Sequence, residues 1–458
     1  MSPGVLILVA VLGIALLLFL VIGLRLQAFV SLLIASFFVA LAGGIPLNEI
    51  TGVIQTGMGN TLGFIAIVVG LGTMFGEMLR VSGGAEQLAR TLVAKFGEDR
   101  AQWALGLTGF LVAIPVFFDV GLIILIPLIY GLAERTKKSL LYYAIPLAAG
   151  LAIAHSYIPP TPGPVAVASL LGADLGWVIL FGIIAGIPAM IIGGVLFGKY
   201  IGGQIHLTVP EYMKIEQERD EGAEDAVMAK QAAIEPPSFG LLVTLIAVPL
   251  VLILLNTISG ILLPEGNVVR NLLGFIGHPF VALIVAALLS FYFLGTQRGM
   301  TSSEIQRIAT KSLEPVGLII LVTGAGGVLG RVLVESGVGE ALAGAMATFN
   351  LPIIVLAFLL ATAVRVSQGS ATVSMVTAAG LVAPILQTGT YSAPLVGLVT
   401  IAIASGATVL SHVNDSGFWL VSRYLGMSES NTLKSWTVME TLIGLTGFIV
   451  VLIISFFV

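Results

Sequence analysis

The sequence predicts an all-α polytopic membrane protein built from inverted repeats, with about ten transmembrane spans, two re-entrant helical hairpins and two broken helices. Three observations carry that expectation. The 458 residues are 57% hydrophobic and only 10% charged, with a mean hydropathy of +1.09. Apolar runs of about 20 residues recur along the chain, the length that crosses a hydrocarbon core of about 30 Å. The segment GLGTMFGEMLRVSGGAEQLA from Gly70 returns 254 residues later as GAGGVLGRVLVESGVGEALA from Gly324, nine of twenty positions being identical without a gap. Two copies of one unit in so apolar a chain suggest a transporter whose site lies where the copies meet. Finally, two apolar runs, 102–130 and 351–392, do not read as single spans.

In chain order, spans are expected near 4–22, 26–43, 61–80, 140–172, 176–200, 238–263, 279–295, 314–335, 393–425 and 436–457. The first, Val5 to Ile22, has no basic stretch before it and no small-residue cleavage site after it, so it reads as a retained span. The run 102–130 is flanked by Arg80, Arg90, Lys95 and Arg100 on one side and by Arg135, Lys137 and Lys138 on the other. Both ends therefore face the cytoplasm. A straight helix of that length would measure about 43 Å, too long for the core without strong tilt, and Pro115 and Asp119 interrupt it. A hairpin entering from the cytoplasm fits better.

The run 351–392 has the opposite flanks: 336–350 and 387–394 hold no Lys or Arg, so this hairpin is expected to enter from outside. Counting from these anchors puts both termini outside. Arg25, Arg298 to Lys311 and Arg423 to Lys434 fall in the cytoplasm, and Arg270 on the wrong side. The chain divides into a first repeat, 1–202, a cytoplasmic linker, 203–237, and a second repeat, 238–458. Five spans plus a hairpin in each make the repeats inverted. Glu211 to Pro237 is the long polar stretch, with acidic residues in excess, and reads as a solvated tether.

Several function classes are excluded. With no cysteine, disulfides and thiolate catalysis are ruled out. A net charge of -4 gives no reason to expect a nucleic-acid partner. No metal-ligand cluster, nucleophile elbow or P-loop is present, the glycines of GLGTMFG lacking a Lys-Ser/Thr ending. No cofactor, enzymatic activity or ATP-driven pumping is expected.

Polar chemistry enters the apolar segments at four places. Asp119, in IPVFFDVG, sits at the expected tip of the first hairpin, where a carboxylate is either a proton or substrate group or a helix cap. HSYIPPTPGP, His155 to Pro164, has four prolines in six residues, so the span breaks there. The helix that restarts after Pro160, Thr161 and Gly163 would offer N-terminal amides to an anion.

VRVSQGSATVS, Val364 to Ser374, is the second hairpin tip. Ser367, Gln368, Ser370 and Thr372 supply donors around Gly369, as a polyhydroxylated ligand requires. Arg365 can meet a carboxylate bidentately, snorkel, or pair with Glu335. Half-helix N-termini and hydroxyl donors are expected to serve a carboxylate in its place. SHVNDSG, Ser411 to Gly417, breaks the 393–425 segment and brings His412, Asn414, Asp415 and Ser416 together. A lone core His is usually a hydrogen-bonded structural residue, but His155 and His412 occupy matching breaks.

FFDVG, HSYIPPTPGP, VSQGSATVS and SHVNDSGFW, with the SGG and SGVG turns, resemble the gluconate permease (GntP) family over essentially the whole chain. The resemblance implies a bacterial inner-membrane gluconate:proton symporter of the ion-transporter superfamily, an elevator-type homodimer in membrane lipid. Its substrates would be gluconate, related hexonates or D-serine. It maps the family's general site onto Asp119, His155, Ser367 to Thr372 and His412 to Asp415. Taken with the residues themselves, substrate contacts are expected at Ser367, Gln368, Gly369, Ser370, Thr372, Asn414, Ser416, Pro160, Thr161 and Gly163, and proton coupling at Asp119, His155, His412 and Asp415. Sodium coupling and a passive anion channel are the rival readings.

Overall fold

The computed structural model describes residues 1–210, 236–314, 316–341, 344 and 351–458. Among them all regular structure is helical, and nine helices are long and apolar enough to cross a membrane. α1 (Pro3–Val21) leads to α2 (Ala28–Ala42), which is started by Gln27, whose side chain accepts from the Phe29 N–H at 2.7 Å. α3 (Leu47–Val81) then runs 35 residues unbroken, whereas the sequence predicts a span only from 61. Asn48, Glu49, Thr51, Gln55 and Asn60 lower the hydropathy of its first turns, but no proline interrupts them, so the helix continues at little cost.

α4 (Gly84–Phe96) is amphipathic and buries Leu88 and Leu92. α5 (Ala101–Ala113) and α6 (Phe118–Thr136) occupy the run expected to form the first hairpin. At 13 residues, α5 is about 20 Å long and too short to span. α7 (Leu140–Tyr157) and α8 (Pro162–Leu171) are the two halves of the proline-broken segment, and α9 (Leu175–Gln204) follows, capped by Asp174. Most of the expected linker, 211–235, lies outside the described residues.

The second half opens with α10 (Phe239–Leu262), the short α11 (Val268–Ile276), α12 (Pro279–Arg298) and α13 (Ser302–Lys311). Arg270 caps the end of α10 by donating to the Leu263 carbonyl at 3.0 Å. α14 (Val316–Glu335) carries the first twelve residues of the second copy, Gly324 to Glu335. α15 (Ile353–Gln368) and α16 (Ala371–Thr388) form the second hairpin, α17 (Ala393–Gly406) and α18 (Ser416–Tyr424) the second broken segment, and α19 (Glu429–Ser455) the last span.

In each half the first hairpin arm packs on the helix that precedes the break, α5 on α7 and α15 on α17, while α3 and α14 lie against each other. α7 and α8 form the centre, with 89% of their apolar window buried, against 28% for α10. The exposed leucines and isoleucines of α10 (Leu255, Ile258, Ile261, Leu262) present an apolar face suited to lipid. α1, α2 and α14 build most of a second apolar cluster, which Ile50 of α3 and Leu381 of α16 join.

The repeated glycines have a packing reason. A Cβ on Gly76 would lie 1.8 Å from the Pro115 carbonyl, and one on Gly330 would touch the Gly380 backbone at 3.4 Å. Each copy thus holds a small residue where a hairpin comes close. Both copies also end in a Ser-Gly turn, with Gly83 and Gly337 at φ +73° and +75°. Leu342 and Ala343, two of the matched positions, lie outside the described residues. Gly76→Ala is expected to destabilise the protein by about 1–3 kcal/mol, the cost of overpacking, read as a lower thermal midpoint in detergent. Gly63→Ala, whose added carbon meets nothing within 4 Å, is expected to hold or raise that midpoint. Equal midpoints for the two variants would remove the hairpin contact as the reason for Gly76.

Candidate functional site

Each of the four chain breaks has a local cause. Pro115 ends the first hairpin arm, a run of prolines separates α7 from α8, Gly369 at φ +82° divides α15 from α16, and Leu410 at φ +55° lies between α17 and α18. Residues beside all four breaks line one cavity of about 360 Å³. Three helix N-termini open onto it: Phe118 to Val120 of α6, Ser370 to Thr372 at α16, and Asp415 to Gly417 at α18. The first amides of a helix have no intrahelical acceptor and carry partial positive charge. At α6 the N-cap residue is Phe117, and no side chain caps the helix. At α16 and α18 the Ser370 and Asp415 side chains take one amide each.

The same cavity holds a buried ion pair. Arg365 Nη2 donates to Asp415 Oδ2 at 2.6 Å, the two side chains being 3% and 11% exposed. Asp415 also accepts from Ser411 Oγ and, through Oδ1, from the Gly417 N–H at 3.1 Å. Ser411 in turn accepts from Trp436 Nε1 at 2.7 Å, and its carbonyl from Thr437 Oγ1. Burial beside Asp415 overturns two of the sequence readings of Arg365. It does not snorkel, and Glu335 is taken instead by Arg331, one helical turn away. Nε and Nη1 of Arg365 have no hydrogen-bond partner among the described residues. A buried donor without an acceptor calls for an explanation.

The other expected residues divide between wall and frame. Asp119, His155, Ser370, Thr372, Asp415 and Ser416 line the cavity. Asp119 is exposed, and His155 lies edge-on to Phe117 with Nδ1 unpartnered among the described residues. Ser367, Gln368, Gly369, His412 and Asn414 do not reach the wall. They join the hairpin tip to the fourth break: His412 Nε2 and Asn414 Nδ2 meet the Val366 carbonyl at 3.0 and 2.8 Å. A Cβ on Gly369 would fall 2.1 Å from the Asn414 carbonyl. Ser367 bonds back to Ala363, and both amide atoms of Gln368 stay unpartnered among the described residues. Matching positions in the two breaks therefore do not give the two histidines matching surroundings.

Pro160, Thr161 and Gly163 are likewise absent from the wall. Pro160 packs on Gly72, Thr161 bonds the Ile158 carbonyl, and Gly163 faces Met375. The expectation that the α8 N-terminus faces the cavity is thus replaced by the N-termini of α6, α16 and α18. From the segment 140–172 the wall takes Ala152, His155 and Ser156.

Trp436 and Glu440 also line the cavity, and sequence reasoning passed over both. The signal was present in the chain, because Glu440 is the sole charged residue of the apolar run 436–457. It is 3% exposed, and its Oε1 has no partner among the described residues.

Residues 5–457 match the family model described as GntP family permease. The chain belongs to the GntP permease family. The low-affinity gluconate transporter of Escherichia coli (strain K12) is 43% identical over 450 residues, 98% of each chain. The inner membrane permease YgbN of the same organism is 43% identical over 453 residues, again 98% of each chain. The Gnt-II system L-idonate transporter of that strain is 36% identical over 443 residues, 97% of each. This GntP-family chain is accordingly a multi-pass inner-membrane permease. Among solved structures, the YdaH transporter of Alcanivorax borkumensis superposes with a TM-score of 0.59 at 16% identity over 90% of each chain. MtrF of Neisseria gonorrhoeae gives 0.63 at 14% identity, over 89% of this chain and 84% of its own. Identities this low speak to the fold alone.

The ion pair makes a stability prediction. Asp415→Leu strands the Arg365 charge, and breaking one side of a buried pair costs about 3–5 kcal/mol. Adding Arg365→Met is expected to restore the thermal midpoint in detergent while transport stays lost. A double variant no more stable than Asp415→Leu would show that the lost capping of α18, and not the stranded charge, sets the cost.

Proposed function

We propose that this permease takes up gluconate or a related sugar acid across the bacterial inner membrane, coupled to protons, by alternating access. One observation carries the reading: a buried guanidinium with two unpartnered donor nitrogens belongs to the wall of a cavity onto which three helix N-termini open. That arrangement suits an anion, since charge-assisted bonds and helix dipoles act together. Ser156, Ser370, Thr372 and Ser416 on the wall supply hydroxyl partners for a polyol chain. The volume sits at the lower end of the about 300–1,000 Å³ usual for small-molecule sites. Relatives named as gluconate and L-idonate transporters support a sugar acid as the class of substrate.

In this reading the substrate carboxylate meets Nε and Nη1 of Arg365, with the helix termini in support. The sequence alone favours the termini, but the pocket keeps the guanidinium buried and half used. Arg365→Lys is then expected to weaken gluconate binding by more than about tenfold, roughly 1.4 kcal/mol, because an ammonium cannot reproduce the planar fork. Ser370→Ala is expected to cost less. The opposite ranking would return the carboxylate to the helix termini. Uptake of labelled gluconate, idonate and D-serine into proteoliposomes tests the function itself, with an imposed pH gradient and with or without sodium. Counterflow exchange separates a carrier from a passive channel.

Alternating access in this proposal moves the hairpins and broken helices as a body against a frame of α1, α2 and α14, which supply most of the second apolar cluster. The inverted arrangement of the halves is tested by single cysteines at Lys137 and Glu340, both exposed. They are expected to label from opposite sides of the membrane, and labelling from one side would overturn the topology.

A further inference from the structure

We propose that Glu440 is the proton-binding carboxylate of the cavity, and that its proton is taken up together with the substrate anion. The inference rests on the sugar-acid reading for the anion and on the cavity alone for the proton. Three carboxylates line the wall, and each has different surroundings. Asp415 receives Arg365, Ser411 and the Gly417 amide, so both of its oxygens are already engaged. Asp119 is exposed and lies in the first turn of α6, whose N-terminus no side chain caps.

Glu440 has neither kind of support. It lies well inside the helix Glu429–Ser455, behind the π turn Leu433–Thr437, so its own helix offers it no free amide. It is 3% exposed, and Oε1 finds no donor among the described residues. π turns within helices recur at functional sites.

Charge balance supplies the coupling. Arg365 is matched by Asp415, so the pair is neutral before any substrate arrives. An ionised Glu440 and a substrate carboxylate would then add two uncompensated negative charges to a low-dielectric cavity that already holds Asp119, at a high energetic cost. With a proton on Glu440, one of those charges disappears and the acid gains an O–H to donate. Anion binding and protonation therefore favour each other by linkage, and the bound anion and proton together add no net charge.

No other group packed around Glu440 provides that balance. α17 contains no titratable residue, and Lys199 and Tyr200 of α9 are exposed. From α7 come Tyr157, whose hydroxyl donates to the Ile443 carbonyl at 3.2 Å, and His155, which lies against Phe117. From α15 comes Arg365, already shared with Asp415.

Two measurements on the full-length protein test this. In infrared difference spectra, a protonated carboxylic acid C=O band is expected in the substrate-free protein, growing when gluconate is added. It should be absent in Glu440→Gln and retained in Asp119→Asn. A band that persists in Glu440→Gln, or vanishes only in Asp119→Asn, overturns the proposal. A Glu440 band that gluconate leaves unchanged would keep the proton site and overturn its coupling to this anion. In equilibrium binding, gluconate affinity is expected to fall by about tenfold per pH unit above the range in which Glu440 is protonated. Glu440→Asp should keep that slope and Glu440→Gln should flatten it. If wild-type protein shows the Glu440 band but binds no gluconate, the substrate reading fails and the proton site stands.

Discussion

The Arg365–Asp415 pair holds the site together because one carboxylate ties down three separate parts of the chain. Asp415 takes Arg365 from the second hairpin, caps the first turn of α18 and accepts from Ser411, which is held in turn by Trp436 and Thr437 of α19. Desolvating an isolated pair costs about as much as its attraction returns, and the extra donors on Asp415 tip that balance. The guanidinium is left with two donors unspent, and these are what make the cavity more than a gap between helices.

The chain breaks supply the second requirement. In a lipid-like surrounding every backbone group needs a partner, so a helix stops only where protein or a polar cavity can receive its free ends. Here proline and positive-φ residues stop four helices beside one cavity, and three of the restarting helices open their amides onto it. The glycines of the repeated segment serve the same end, since Gly76 lets the first hairpin approach α3 at a distance that no side chain allows.

Much of this was legible in the chain. Hydropathy located most spans, because a long apolar run has one low-energy environment. The four polar motifs marked the four breaks, because Pro and Gly act on the backbone locally. Where the reading went astray, a weaker signal was overruled by packing. α3 begins at Leu47, since polar side chains lower hydropathy without ending a helix. His412 and Asn414 bind the Val366 carbonyl, although their motif resembled a ligand set, because the hairpin tip needed fastening there. The α8 N-terminus packs against α3 and α16, away from the cavity.

The sequence by itself determined that the chain lives in a membrane, that it repeats, and where its helices must break. These are properties of composition and of local backbone chemistry, which read the same whatever surrounds them. Only the tertiary structure decided which polar residues share a wall. That choice depends on the rotation of each helix about its own axis, set by contacts between segments far apart in the chain. Arg365 and Asp415 are 50 positions apart, yet 2.6 Å in space. Glu440 is the one charged residue of the last apolar run, 436–457, and packing sets it in the same wall as that pair.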